Sequence, residues 1–145
     1  MNTSNIDVSI VDPAALDAAA VVSLYDAVGW SAYTRDAPGL LRALKGSYRV
    51  AAAFGGDGRL MGLARILSDG ETITYLQDVL VHPDFQRTGT GRRLVATLFE
   101  SVPMARQRVL ITDDEQRQRA FYESLGLTEA HDHNPPIRAF IAFSN

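Results

Sequence analysis

Gln86-Arg87-Thr88-Gly89-Thr90-Gly91 lies between the apolar run Val79-Leu80-Val81 and an amphipathic stretch that carries Leu94, Val95 and Leu98. A glycine-rich turn of this kind can hold a phosphate. Glycines let backbone N–H groups approach an anion, and the N-terminal end of the helix that follows is electropositive. Arg87, Arg92 and Arg93 add local positive charge. The turn lacks the G-K-[ST] ending of a nucleoside-triphosphate loop and the G-x-G-x-x-G spacing of a dinucleotide site. No G-x-S-x-G elbow occurs, and the absence of cysteine removes disulfides, thiolate metal sites and thiol nucleophiles. His131, Asp132 and His133 are adjacent in a loop without the spacing of a tetrahedral site, so no metal is expected. His82, next to Pro83, reads as structural.

The elements that must position the turn follow from periodicity. Ile6, Val8 and Ile10 alternate with polar residues as a first strand. Pro13 opens a helix predicted from Ala14 to about Val28, with Leu16, Ala20, Leu24 and Val28 on one face and Gly29 as its stop. The aromatic segment Trp30–Thr34 reads as a loop, and Asp36 precedes a short helix through Leu40, Leu41 and Leu44 to Gly46. Tyr48–Phe54 and Leu60–Leu67 form a hairpin about Gly55–Gly58. Thr72–Val81, rich in β-branched and aromatic residues, is a long central strand closed by His82-Pro83.

The helix after the turn ends at Pro103, and Val109–Thr112 form a short strand. Thr112-Asp113-Asp114-Glu115 fits a capping box for a helix reaching Leu125, with Gly126 as its stop. Ile137–Phe143 supply a last strand after the loop His131–Pro136. The order predicts an α/β chain, α+β-like in character, with a mixed, mostly antiparallel sheet flanked by helices.

At 145 residues and 46% hydrophobic composition the chain fits one domain, 1–145, with its own core. The net charge of −3 argues against nucleic acid as the main partner, because duplex affinity comes largely from phosphate neutralisation. No apolar run approaches the ~20 residues of a membrane span. Met1–Asn5 has neither a basic start nor an apolar core, so a cytoplasmic location is expected.

Taken together, the motifs resemble the GNAT N-acetyltransferases. Gln86–Gly91 matches that family's Q/R-x-x-G-x-G/A signature, Val79-Leu80-Val81-His82-Pro83 matches the strand and turn before it, and Phe121-Tyr122-Glu123-Ser124-Leu125-Gly126-Leu127 is similar to its F-Y-E-x-x-G-F segment. The element order agrees over nearly the whole chain. The resemblance implies a GNAT fold and transfer of an acetyl group from acetyl-CoA to a primary amine of a small molecule or peptide, without a covalent enzyme intermediate. Backbone amides of Arg87, Thr88, Gly89, Thr90, Gly91 and Arg92, with Gln86, would hold the pyrophosphate. The pantetheine arm would lie along Val79, Leu80 and Val81, where an N–H can stabilise the oxyanion, an effect worth ~3 kcal/mol in other acyl transfers. Dimers are common in the family, and the resemblance admits a homodimer here.

Tyr122 resembles the family's general acid, a phenol of ordinary pKa ~10 able to protonate the departing thiolate. Many members carry a glutamate in the central strand where this chain has Gln77 followed by Asp78. Glutamine is no base, which leaves Asp78 as the candidate, and strand alternation places Gln77 and Asp78 on opposite faces. Trp30 and Tyr33, with Tyr25 one helix turn before Gly29, lie where the family builds its acceptor pocket. The matching region for an asparagine that several members use on the cofactor is Glu115-Gln116-Arg117-Gln118. The competing reading is a non-catalytic acyl-CoA-binding sensor or regulatory module, motivated by Gln77.

Overall fold

The computed structural model describes residues 5–144. They divide into two compact units between Leu110 and Ile111.

The first unit is built on a five-stranded sheet in the order β1-β2-β3-β4-β5. Its strands are β1 (Asp7–Val11), β2 (Arg49–Phe54), β3 (Leu60–Ser68), β4 (Ile73–Val81) and β5 (Gln107–Val109). Successive pairs are antiparallel except β4 with β5, which is parallel. This is the mixed, mostly antiparallel arrangement expected. Val50–Ala53 and Leu60–Ile66 are buried without interruption, as strands covered on both faces must be. On one face α1 (Ala18–Ala27) and α3 (Ala37–Gly46) bring Val21, Leu24, Tyr25, Leu40 and Leu44 against Val50, Ala52, Leu63 and Leu80. On the other lies α4 (Thr90–Glu100), buried through Leu94, Val95, Leu98 and Phe99. Gly62 allows its close approach: a Cβ there would stand 3.1 Å from Leu94 Cδ1 and 3.2 Å from the Leu80 carbonyl.

Helix 1 starts later than its sequence pattern implies. Asp12 accepts from the Ala14 N–H and caps a separate 3-10 turn at Pro13–Ala15, Leu16 is extended, and Asp17 caps the helix proper by accepting from the Ala20 N–H. Local side-chain caps outbid helical propensity at Ala14 and Ala15. The predicted aromatic loop contains a single helical turn, α2 (Ser31–Thr34).

The second unit holds α5 (Gln116–Ser124) and a 3-10 turn at Ala130–Asp132. The capping box at Thr112 does not form: the cap is Glu115, with no side-chain hydrogen bond. The predicted strand at Val109–Thr112 lies earlier, at Gln107–Val109. Ile137–Phe143 form no strand among the described residues, and Phe140 is 87% exposed. Alternating hydrophobicity selects a face, but a strand also needs a neighbour for its N–H and C=O groups. No helix among the described residues is long and apolar enough to cross a membrane.

Candidate active site

The glycine-rich turn reaches α4 through two left-handed residues, Arg87 at φ 63° and Gly89 at φ 81°. Gly89 is the N-cap of α4, and the cap makes no side-chain hydrogen bond. The first helical bond runs from the Arg93 N–H to the Gly89 carbonyl, so the N–H groups of Thr90 and Gly91 have no carbonyl within the helix. They carry the positive end of the helix dipole, a set of backbone donors that suits an anion. The Thr88 hydroxyl donates to the Phe85 carbonyl at 2.6 Å and lies 2.7 Å from the Thr90 hydroxyl, which fixes the loop from inside. Gln86 donates from Nε2 to the Val81 carbonyl at 3.2 Å, tying the loop to the end of β4. Arg93 turns away and donates to the Ile6 carbonyl at 2.9 Å. A Cβ on Gly89 would meet nothing within 4 Å, so only its backbone conformation demands glycine. Gly89→Ala is therefore expected to cost about 1–2 kcal/mol, seen as a lower urea midpoint at unchanged slope.

Beside the start of α4 the sheet opens. The β4–β5 ladder covers only Ile73–Tyr75 against Gln107–Val109. From Leu76 to Val81, β4 has no strand on that side among the described residues. Which of its groups face the gap follows from the ladder on the other side. The His82 N–H donates to the Met61 carbonyl and Val81 opposes Gly62, so 82/61, 80/63 and 78/65 are the hydrogen-bonded pairs. Val79 and Val81 therefore turn their N–H groups toward the gap, and the Leu80 N–H is taken by β3.

The register of β3 and β4 slips once. Arg65 opposes Asp78 while Ile66 opposes Leu76, leaving Gln77 as an extra residue on β4. This bulge overturns the alternation expected from sequence, because the residues on either side of it change face. Leu76 opposes Ile66, on the side of Gly62 and α4; Asp78 and Leu80 oppose Arg65 and Leu63, on the side of α1 and α3. Gln77 and Asp78 both reach Tyr33: the Tyr33 hydroxyl donates to Asp78 Oδ1 at 2.9 Å, and Gln77 Nε2 is 3.3 Å from the same hydroxyl.

Asp78 is 4% exposed and its carboxylate is surrounded by donors. Oδ2 accepts from Arg65 Nε at 2.6 Å and from the Tyr25 hydroxyl at 3.0 Å, while Oδ1 takes Tyr33. Arg65, 6% exposed, also points Nη2 at the Tyr33 hydroxyl and Nη1 at the Ser47 hydroxyl, both at 3.4 Å. Burial alone would lower the Arg65 pKa, but the hydrogen bond and charge of Asp78 outweigh it and raise the value. Burial first, then the Asp78 carboxylate, pushes the Tyr25 hydroxyl far above its ordinary value. Asp78 is thus the hub of an ion pair, a poor geometry for the base expected from sequence. Trp30 and Tyr33 do sit together, with Tyr25 between them: ring centroids lie 5.9 Å apart for Tyr25–Trp30, 5.3 Å for Tyr25–Tyr33 and 6.2 Å for Trp30–Tyr33.

Arg65 escaped the sequence reading. The signal for Arg65 was present: an arginine inside the apolar strand Leu-Met-Gly-Leu-Ala-Arg-Ile-Leu demands a buried acceptor. In the second unit, Tyr122 packs edge-on to Phe121 at 5.0 Å, and burial raises its pKa. Glu129, His131 and Asp132 bring possible ligand atoms within 4.8 Å of one another. Arg119, however, pairs with Glu129 and Asp132, each at 2.9 Å, and so occupies both carboxylates.

Residues 46–129 match the model of the acetyltransferase (GNAT) domain. An uncharacterized N-acetyltransferase, ycf52, of Pyropia yezoensis is 30% identical over 112 residues, covering 75% of this chain and 63% of that protein. The chain spans between about half and just under two thirds of the length of the curated relatives it matches first. A GNAT-family acetyltransferase from Streptococcus pneumoniae has a solved structure that superposes with a TM-score of 0.80 at 28% identity, covering 96% of this chain and 98% of that one. AAC(6')-Iy, solved with a CoA-based bisubstrate analogue, shares the fold at a TM-score of 0.64 and 18% identity, covering 98% of this chain and 99% of its own. With the family model matched across more than half of its residues, and an uncapped helix following a strand that parts from its neighbour, this chain belongs to the GNAT acetyltransferases.

Proposed function

We propose that the protein transfers an acetyl group from acetyl-CoA directly to a primary amine of a small molecule or peptide. One observation carries this reading: the free edge of β4 at Val79 and Val81 leads through the loop at Gln86 into the uncapped start of α4. A thioester arm needs extended backbone donors and acceptors, and a pyrophosphate needs converging N–H groups. One continuous segment, 79–92, offers both in that order. The bisubstrate complex of AAC(6')-Iy supports CoA as the ligand of such a fold. We assign the pyrophosphate to the amides of residues 87–92, with Gln86 bracing the loop, and the thioester carbonyl to the Val79 or Val81 N–H. Leu80 then serves by packing. The matched residues 46–129 cross the boundary at Leu110, so we assign both units to one family domain.

The amine nitrogen attacks the thioester carbonyl, the tetrahedral oxyanion is held by the backbone N–H, and the C–S bond breaks. The nitrogen gives up one proton to water, and the thiolate takes one from Tyr122, which solvent reprotonates. Tyr122 is assigned on its chemistry and the F-Y-E-x-x-G segment. A phenol of pKa ~10 is a weaker acid than a thiol of ~8.5, so the transfer is uphill by about 2 kcal/mol with ordinary values. Burial of Tyr122 adds to that gap. Desolvation of the thiolate would close it, because burial raises a thiol's pKa too. Tyr122→Phe is expected to lower kcat about 100-fold with little change in acetyl-CoA affinity, measured as thiol release over a panel of amines. An unchanged kcat would remove Tyr122 from the reaction.

The commitment of Asp78 to Arg65 favours a second reading, a module that binds acyl-CoA without turnover. Tight acetyl-CoA binding in calorimetry with no thiol release on any amine would select it.

A further inference from the structure

We propose that Gln77 receives the acceptor amine through its side-chain oxygen Oε1, and that Tyr33 and Asp78 set the direction in which that oxygen points. This rests on the acetyl-transfer reading above and names the contact that reading leaves open.

The argument is one of hydrogen-bond polarity. A phenol has one proton to give, and Tyr33 spends it on Asp78 Oδ1 at 2.9 Å. The proton of Tyr25 and the Nε–H of Arg65 go to Oδ2 of the same carboxylate. Toward every other neighbour the Tyr33 oxygen can therefore only accept. Arg65 Nη2, a donor, approaches it at 3.4 Å. The side-chain amide of Gln77 meets it at 3.3 Å and must present its NH2 group, since two acceptors would repel. Oε1 is thereby turned away from Tyr33. It accepts no hydrogen bond among the described residues, and Gln77 is exposed.

The position fits the purpose. Gln77 is the unpaired residue of the bulge, and Val79, whose N–H faces the gap between β4 and β5, follows two residues later. At ~3.3 Å of rise per residue the two backbones are about 7 Å apart, a distance that a glutamine side chain and a bound amine can bridge. An amide oxygen accepts from an amine N–H but keeps no proton. It orients the nitrogen lone pair without acting as a base, and the proton the nitrogen loses passes to water. The fixed polarity also has a selective effect: an exposed acceptor at 77 welcomes N–H donors and disfavours an acceptor substrate that presents only carboxylate or carbonyl oxygens there.

The test uses the full chain with Gln77→Leu, Gln77→Glu and Tyr33→Phe. Calorimetry with acetyl-CoA serves as the control for folding and for the donor site, and should agree with the unaltered protein within about twofold. Phenethylamine, spermidine and a lysine-containing peptide are the acceptor probes, followed by thiol release and by the 15N resonance of the Gln77 side-chain amide in the presence of CoA. Gln77→Leu should raise the acceptor KM about tenfold, with a smaller change in kcat. Tyr33→Phe should shift the Gln77 amide resonance and raise the acceptor KM less. Gln77→Glu should move the acid limb of the kcat/KM profile to lower pH, because a carboxylate can take the proton that an amide cannot. An unchanged acceptor KM in Gln77→Leu, or a Gln77 amide that responds to none of the probes and to no Tyr33 substitution, overturns the proposal. Failure to bind acetyl-CoA instead overturns the acetyl-transfer reading on which it rests.

Discussion

Asp78→Ala is expected to lower the folding free energy by about 3–5 kcal/mol, a large share of what a domain of this size has to spare. The carboxylate is the common acceptor for Arg65 Nε and for the hydroxyls of Tyr25 and Tyr33. Its removal leaves a buried guanidinium, the buried Tyr25 hydroxyl and the half-buried Tyr33 hydroxyl without that partner, and an unpaired buried charge is far costlier than the pair is stabilising. The measurement is a urea titration: the midpoint should fall while the slope stays constant. Replacing both partners, as in Arg65→Met with Asp78→Leu, should recover most of the loss, because the apolar pair no longer strands a charge. A drop below about 1 kcal/mol for Asp78→Ala would mean that water reaches the pair and screens it.

The second large effect is on rate against pH. With Asp78 tied to Arg65 and Gln77 unable to accept a proton, solvent must deprotonate the amine, and only its neutral form attacks. For an alkylamine of pKa ~10.4, kcat/KM should climb roughly tenfold per pH unit, close to 1000-fold between pH 7 and 10. The acid side of the reaction does not cut this short. Burial raises the Tyr122 pKa, so the phenol keeps its proton up to and beyond its ordinary value of ~10. Stability sets the upper bound of the experiment. Tyr25 and Tyr122 both have raised folded-state values, so the stability they contribute is full below ~10 and is lost as pH rises through those values. A plateau below pH 8 with an alkylamine would reveal a base in the site. An amine of low pKa should flatten the profile at that lower value.

The cradle was legible in sequence because its requirement is local: glycines in a turn between an apolar strand and an amphipathic helix allow few other structures. The hairpin at Gly55–Gly58 and the long strand ending at Val81 were legible for the same reason. Where the structure departs from the pattern, either a local side-chain cap or a distant partner decides the outcome. Asp12 and Asp17 each capped a separate turn, and Ile137–Phe143 had the pattern of a strand with no ladder to join. The bulge at Gln77 has no composition signal at all, since it arises from the mismatch in register between β3 and β4. Asp78 could be recognised as a functional candidate, but its counter-ion stands on another strand, 13 residues away in the chain.

Gln77 occupies the one place inside the β3–β4 ladder where β3 has no residue opposite it. Elsewhere on the strand a change of side chain disturbs a cross-strand pair, and with it the spacing that presents Val79 and Val81 to the gap. At 77 no such neighbour answers. A chain with this slip can therefore exchange the chemistry offered to the incoming nitrogen, amide for carboxylate or hydroxyl, while the half that grips the donor stays in register. The irregularity works as a socket, and successive generations of the sequence are free to try different tools in it.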